Sequence, residues 1–211
     1  LGLRFETVGS EATGGIKAVD VQTLVPRAAG AFDLTGDGRT ILQGTYGHYA
    51  GKYNDVQFSR NSAAGNADRI TGTYSGPSGE GLGFAPAFNP ANYSTFAGIF
   101  PTANIFFAGD LTSPVTRETT LSLGRDFGRG LWARGRYVHR RATDFVEDFI
   151  TIDGGKTVVT RNGVTFGTFD NAVYRNSDVA RREYDAVDVQ SGWQQGALTV
   201  AGQWTVQLKN E

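Results

Sequence analysis

The 211-residue chain contains no cysteine and no methionine. The lack of cysteine excludes disulfides and thiolate metal sites, and fits an envelope protein that avoids oxidative mispairing. The lack of methionine means that no initiator is present, so a processed product or an internal fragment is expected. No apolar run approaches ~20 residues, which excludes a membrane-spanning helix, and no stretch near the start reads as a signal peptide. A formal net charge of −1 offers no basic face for nucleic acid. Neither a Gly-x-Ser-x-Gly nucleophile motif nor a glycine-rich phosphate cradle after a strand occurs. No catalytic, cofactor-binding or metal-binding residue is therefore assigned, and an enzyme is not expected.

What is abundant points to β structure. Glycine accounts for 29 of 211 residues, roughly twice the usual ~7%. Aromatic residues reach 12% and charged residues only 19%, the latter below the ~25% of soluble domains. Mean hydropathy is −0.29, which argues against a helical membrane protein. It does not argue against a β-barrel, whose lumen and loops are polar.

The most informative stretch is Pro26 to Ala50, in which two alternating runs flank Thr35-Gly36-Asp37-Gly38. Asp-Gly between alternating segments is a strong hairpin signal. In the second run Leu42, Gly44, Tyr46 and His48 share one face, and Gln43, Thr45, Gly47 and Tyr49 the other. Strands of ~9–11 residues, apolar on one face and polar or glycine on the other, have the length to cross a bilayer at a tilt.

Extended along the chain, this pattern predicts an all-β, antiparallel up-and-down meander of about seven main strands. These are Leu1–Val8, Leu24–Leu34, Arg39–Ala50, Val115–Phe127, Leu131–Ile152, Arg182–Trp193 and Leu198–Leu208. Their connections alternate. Polar Gly9–Thr23 is long, the turn near Gly36–Gly38 short, 51–113 very long and irregular, Gly128–Gly130 short, 153–180 long, and Gln194–Ala197 short. A hairpin around Asn162-Gly163 is expected inside the 153–180 loop, pairing Thr157–Thr160 with Val164–Phe169. Outer-membrane barrels sort their connections this way, with short periplasmic turns and longer extracellular loops. A long structureless loop would count against the strand assignment in a compact soluble domain. The pattern therefore reads as one partial transmembrane β-barrel spanning residues 1–211. Tyr46, Tyr49, Phe127, Tyr137 and Trp193 lie near strand ends, where interfacial girdles place amphipathic rings.

Three segments carry a family resemblance. PRAAGAFDLTGDGRTILQGTYGHYAG resembles the barrel of TonB-dependent outer-membrane receptors of the Oar-like type, with its Pro-Arg, its aromatic-Asp-Leu-Thr-Gly-Asp-Gly turn and its Tyr-Gly-aromatic strand end. DLTSPVTRETTLSLGRDFGRGLWARGRYVHRRATDFVED is similar to the strand pair that ends in Tyr-Val-x-Arg-Arg. RREYDAVDVQSGWQQGALTVAGQWT is similar to the Tyr-Asp-Ala-Val hairpin and the strand after it. The segments fall in family order over roughly half the chain. The resemblance implies a bacterial outer-membrane location and active uptake or export of a bulky or polar substrate. It also implies a barrel of about 22 strands, outer-membrane lipid around it, and an inner-membrane TonB complex acting through a plug domain absent from this sequence. The competing expectation is a soluble β-sandwich that serves as a carbohydrate-binding or adhesion module.

Five side chains are candidates for the barrel lumen: Arg134, Arg136, Arg140, Asp188 and Gln190. An arginine facing lipid at mid-depth costs ~2–4 kcal/mol, so the polar face must point inward. One reading is a path for an anionic or polar substrate; the other, favoured, is charge pairing within the barrel or against a plug. Asp33-Leu34-Thr35-Gly36-Asp37-Gly38 is spelled like the start of a calcium loop, but the twelfth position is Gly44 and no helix flanks it, so a β-turn is expected. His48 and His139 lack a second ligand at metal spacing and read as solvated or interfacial. The loop 51–113, dotted with Tyr53, Phe58, Tyr74, Phe84, Phe88, Tyr93, Phe96 and Phe100, is the candidate for ligand contact.

Overall fold

Strict alternation of apolar and polar residues places successive side chains on opposite faces, so paired strands build a two-faced sheet. The computed structural model describes residues 1–12, 16–51, 59–62, 66–77, 90–150, 154–177 and 179–211. The strands in chain order are β1 (Gly2–Ala12), β2 (Ile16–Asp33), β3 (Thr40–Ala50), β4 (Arg69–Tyr74), β5 (Tyr93–Ile99), β6 (Ile105–Phe107) and β7 (Val115–Gly128). They are followed by β8 (Leu131–Thr143), β9 (Val146–Ile150), β10 (Lys156–Arg161), β11 (Val164–Asp170), β12 (Ala172–Asn176), β13 (Arg182–Gln195) and β14 (Leu198–Asn210).

Seven of them form one sheet in the order β1-β2-β3-β7-β8-β13-β14, and every neighbouring pair is antiparallel. This is the expected meander. Among the described residues it does not close: β1 and β14 are its two edges.

Register sorts the residues into two faces. One rung carries Phe32, Leu42, Leu123, Gly135, Val189 and Trp204, and the next on the same face carries Gly30, Gly44, Leu121, Tyr137, Val187 and Val206. These apolar side chains are not packed into a core. Leu121 is 53% exposed, Leu123 48% and Trp204 67%. The opposite face carries Gln43, Ser122, Arg136, Asp188 and Thr205 along one rung. Seven strands thus share one apolar and one polar surface.

At one end the strands are joined by short turns. Between β7 and β8 the turn Gly128-Arg129-Gly130 runs entirely at positive φ, at 80°, 53° and 79°. Gly130 has a second constraint: a Cβ there would lie 1.9 Å from the carbonyl oxygen of Gln194, whose N–H donates to the Gly130 carbonyl at 3.0 Å. Between β2 and β3 the expected tight turn is a wider loop, closed by the Leu34 N–H on the Thr40 carbonyl at 2.9 Å. Positive φ falls at Gly36 and Gly38 rather than at Asp37, because the aspartates fold the loop with their side chains.

The other end departs from the sequence reading in three places. Gly9–Thr23 is not an open polar connection: β1 runs on to Ala12 and β2 starts at Ile16, with Val8 opposite Val21. The tip, 13–15, lies outside the described residues. The composition misleads here because the apolar partner of Val8 and Val21 comes from elsewhere in the chain.

The fifth strand stops at Thr143 instead of running to Ile152. Asp144 adopts φ 62°, and the chain leaves for a three-stranded sheet, β6-β12-β9. Residues 151–153 lie outside the described residues. The 51–113 stretch is not wholly irregular either, since it contributes β4 and β5, which pair with each other, and β6. Tyr53, Phe58, Phe84 and Phe88 lie outside the described residues. The Asn162-Gly163 hairpin forms as β10 and β11, with φ 51° and 78° at its tip, the two positive values that a type I′ turn needs.

These extra elements make a cap with two small cores. Val21, Ile105, Leu111, Val146 and Tyr174 form one, and Phe100, Val159 and Phe169 the other. Asparagine amides stitch the cap together. Asn104 accepts from the Phe100 N–H at 2.8 Å and donates to the carbonyls of Gly98 and Asp170 at 2.8 and 2.9 Å. Asn176 accepts from the Thr112 N–H and donates to the Thr112 and Asp144 carbonyls. A primary amide has donors and an acceptor in one plane, which suits it to bridging irregular backbone.

Candidate functional site

On β8, alternation sends Arg134, Arg136 and Arg140 to the polar face, and the register fixes what each one meets. Arg136 stands between Ser122 on β7 and Asp188 on β13. Its Nε and Nη2 donate to Asp188 Oδ2 at 3.0 and 2.5 Å. Asp188 Oδ1 accepts from the Thr205 hydroxyl at 2.7 Å, so both oxygens of this buried carboxylate are used. Arg140 stands between Glu118 and Tyr184 and donates through Nε to the Glu118 carboxylate. Arg134 stands between Gly124 and Gln190. It has no carboxylate partner among the described residues and lines a shallow hollow with Arg39, Gln43, Trp132 and Gln190.

All five candidate side chains therefore share one face. Two of the three arginines are engaged in cross-strand ion pairs, Arg136 with Asp188 and Arg140 with Glu118. The sequence did not single out Glu118 or Thr205 as partners. The signal for Glu118 was present: counting back through both strands from the Gly128–Gly130 turn brings it opposite Arg140.

Toward the cap end of the polar face, Tyr49 carries the Arg27 guanidinium over its ring at 4.6 Å. Tyr49 shares the face of Gln43 and Thr45, as alternation along the strand predicts. Tyr46 and Tyr137 stand on the apolar face, where the rung beyond Tyr137 turns polar with Tyr46, Thr119, His139, Asp185 and Lys209. There Tyr137 donates to Asp185 at 2.6 Å and His139 Nδ1 lies 2.8 Å from the same oxygen. His48 Nε2 contacts the Tyr46 hydroxyl at 2.6 Å. Each histidine is thus bound to a neighbour on the same face. No cluster of metal-ligating side chains occurs among the described residues.

The calcium-like loop uses its oxygens internally. Asp33 accepts from the N–H of Thr35 at 3.1 Å and of Gly38 at 2.6 Å. Asp37 accepts from the Thr35 hydroxyl at 2.5 Å and the Arg39 N–H at 3.0 Å. The Thr35 hydroxyl, then the Arg39 N–H, hold the Asp37 carboxyl below its ordinary value of 3.8. Carboxylates engaged this way make a turn, not a cation cage.

Comparison with known proteins finds no family model that matches this sequence and no curated protein that matches it.

Proposed function

We propose that this chain is part of the barrel wall of an Oar-like TonB-dependent outer-membrane receptor, which takes up or exports a bulky or polar substrate. The observation that carries this reading is the two-faced seven-stranded sheet. Its apolar face presents Leu3, Phe5, Phe32, Leu121, Leu123, Val200 and Trp204 in exposed positions, while its opposite face holds ion pairs. Monomeric soluble proteins rarely expose apolar patches beyond a few hundred Å². A lipid-facing barrel wall requires such a face. A β-sandwich would bury it against a second sheet, and none lies across it among the described residues.

The strand length suffices. β13, Arg182–Gln195, rises about 44 Å at ~3.4 Å per residue, and a tilt of ~40° projects this to about 34 Å, enough to cross the ~25 Å apolar band of outer-membrane barrels. Short turns lie on the periplasmic side and the cap on the extracellular side. The two open edges, β1 and β14, would pair with further strands to close the barrel, because unpaired edges invite aggregation. The wall does no chemistry; energy for transport comes from the TonB complex through a plug, and the substrate stays unnamed at this level.

The test is fractionation of the complete gene product, followed by electrophoresis with and without heating. An outer-membrane protein that requires detergent and changes mobility on heating is expected. Recovery from the aqueous fraction without detergent would overturn the proposal in favour of a soluble carbohydrate-binding or adhesion module.

A further inference from the structure

The cap end of the polar face contains a cleft of about 690 Å³, within the ~300–1,000 Å³ range of small-ligand sites. Its origin is a size contrast written in the sequence. The floor is laid by small or short side chains, Thr116 on β7 and Ala142 on β8, which are cross-strand neighbours. The walls are large: Tyr49 on β3 on one side, Tyr184 and Arg182 on β13 on the other. Three inter-strand steps of about 4.8 Å separate β3 from β13, so the floor is roughly 14 Å wide.

The two carboxylates and two arginines that line the cleft cancel in sum, so what matters is which cations are already paired. Glu118 is taken by Arg140. Glu183 is flanked by Lys209, Arg141 and Arg181. Arg27, on β2 beside the lining, lies over the ring of Tyr49 at 4.6 Å, and Arg182, which lines the cleft, lies over Phe145 at 5.5 Å. Neither has a carboxylate partner among the described residues. Stacking holds a planar guanidinium in place while leaving its N–H fork free for an oxyanion. Around these cations stand hydroxyl-reading groups: the Thr116 hydroxyl, the free side of the Glu118 carboxylate, and the Asn210 amide. Tyr49 and Tyr184 each carry an arginine over one ring face, Arg27 at 4.6 Å and Arg140 at 5.9 Å, and have one further flat face each.

We propose that this cleft binds an acidic oligosaccharide, with one carboxylate on Arg27 and another on Arg182, sugar hydroxyls on Thr116, Glu118 and Asn210, and ring faces against the tyrosines. The assignment rests on the barrel reading for its place on the import path, since it puts a recognition site at the extracellular mouth. The chemistry of the cleft stands apart from that reading.

The experiment is calorimetric titration of the complete gene product, in whichever fraction it is recovered, with a trimer of galacturonic acid. Maltotriose serves as the neutral sugar and citrate as the non-sugar polycarboxylate. Binding of the acidic trimer is expected, weakening as salt is raised, with maltotriose and citrate each at least tenfold weaker. Arg27→Ala and Arg182→Ala are each expected to weaken trimer binding at least tenfold, with partial recovery in the lysine variants. These arginines hold no carboxylate, so their removal orphans none, and unchanged thermal unfolding serves as the folding control. Equal binding of maltotriose, or trimer binding unaffected by both alanine variants, would overturn the anionic assignment. Citrate as strong as the trimer would overturn the sugar assignment. An outer-membrane protein that binds no trimer defeats the cleft and leaves the barrel standing. A water-soluble protein that binds it defeats the barrel and leaves the cleft.

Discussion

The seven-stranded wall and the cap above it are held together by different means. The wall carries long ladders whose two surfaces are dictated by period-two alternation, and its polar side chains pair across strands, Arg136 with Asp188 and Arg140 with Glu118. Its apolar side chains contribute little to an internal core, because they point away from the rest of the chain. The cap has short strands in three separate sheets, two small aromatic-aliphatic cores, and asparagine amides that bridge segments remote in sequence. A wall that draws on solvent or lipid for one whole face need not pack against itself. A cap in water must find its own interior, and short strands leave backbone groups for Asn104, Asn171 and Asn176 to satisfy; the Asn171 amide donates to the Gly154 carbonyl at 2.6 Å.

That contrast can be broken from either side. The largest effect is expected from Gly130→Ala, which puts a methyl group 1.9 Å from the Gln194 carbonyl oxygen at a positive φ. A loss of about 3 kcal/mol or more is expected, the sum of left-handed strain and a backbone clash that no rotamer relieves. Thermal unfolding followed by β-sheet circular dichroism measures it, and the junction of β8 with β13 should open first.

Next comes Asn104→Ala, which strands the Phe100 N–H and two carbonyls in a buried site. About 2–4 kcal/mol is expected, confined to the cap. Hydrogen exchange should accelerate around β5, β6 and β11 and stay unchanged in β7 and β8; equal acceleration in the wall would dissolve the distinction between the two regions. Arg136→Ala leaves Asp188 with Thr205 alone. Because the Arg136 side chain is 45% exposed, only about 1–2 kcal/mol is expected, and a double-mutant cycle with Asp188→Ala measures the pairing itself.

The smallest effect concerns the β2–β3 loop. The Asp37 carboxyl titrates below 3.8 in the folded chain. Its contribution is therefore present above that value and lost as the pH falls through the lower, folded value. Exchange of the Arg39 amide should quicken across that acid window in the native sequence. In Asp37→Asn the window should vanish.

The wall was legible because its signals are local. Alternation in Leu42–Tyr49, Thr119–Leu123 and Leu131–Tyr137 assigns faces without knowledge of any partner. In the cap Asn162-Gly163 announces its own turn, but the rest was not legible because its order depends on distant pairings. Asp144 turns the chain out of the wall only because β9 finds β12, and Val8 with Val21 continues as strand beneath Ile105 and Tyr174. Within the candidate site, the arginines and Asp188 could be put on polar faces from sequence, yet the cleft between Tyr49 and Tyr184 could not. It depends on strands far apart in sequence standing three positions apart in one sheet.

The residues alone determined which faces of the strands are polar and where the short turns fall, since side-chain period and turn chemistry act over a few positions. Tertiary structure decided which arginine meets which carboxylate, which guanidiniums stay free, and that small residues at 116 and 142 would lie side by side as a floor. Those outcomes follow from register and strand order, and a single-residue slip in register would turn a strand's entire polar set to the opposite face.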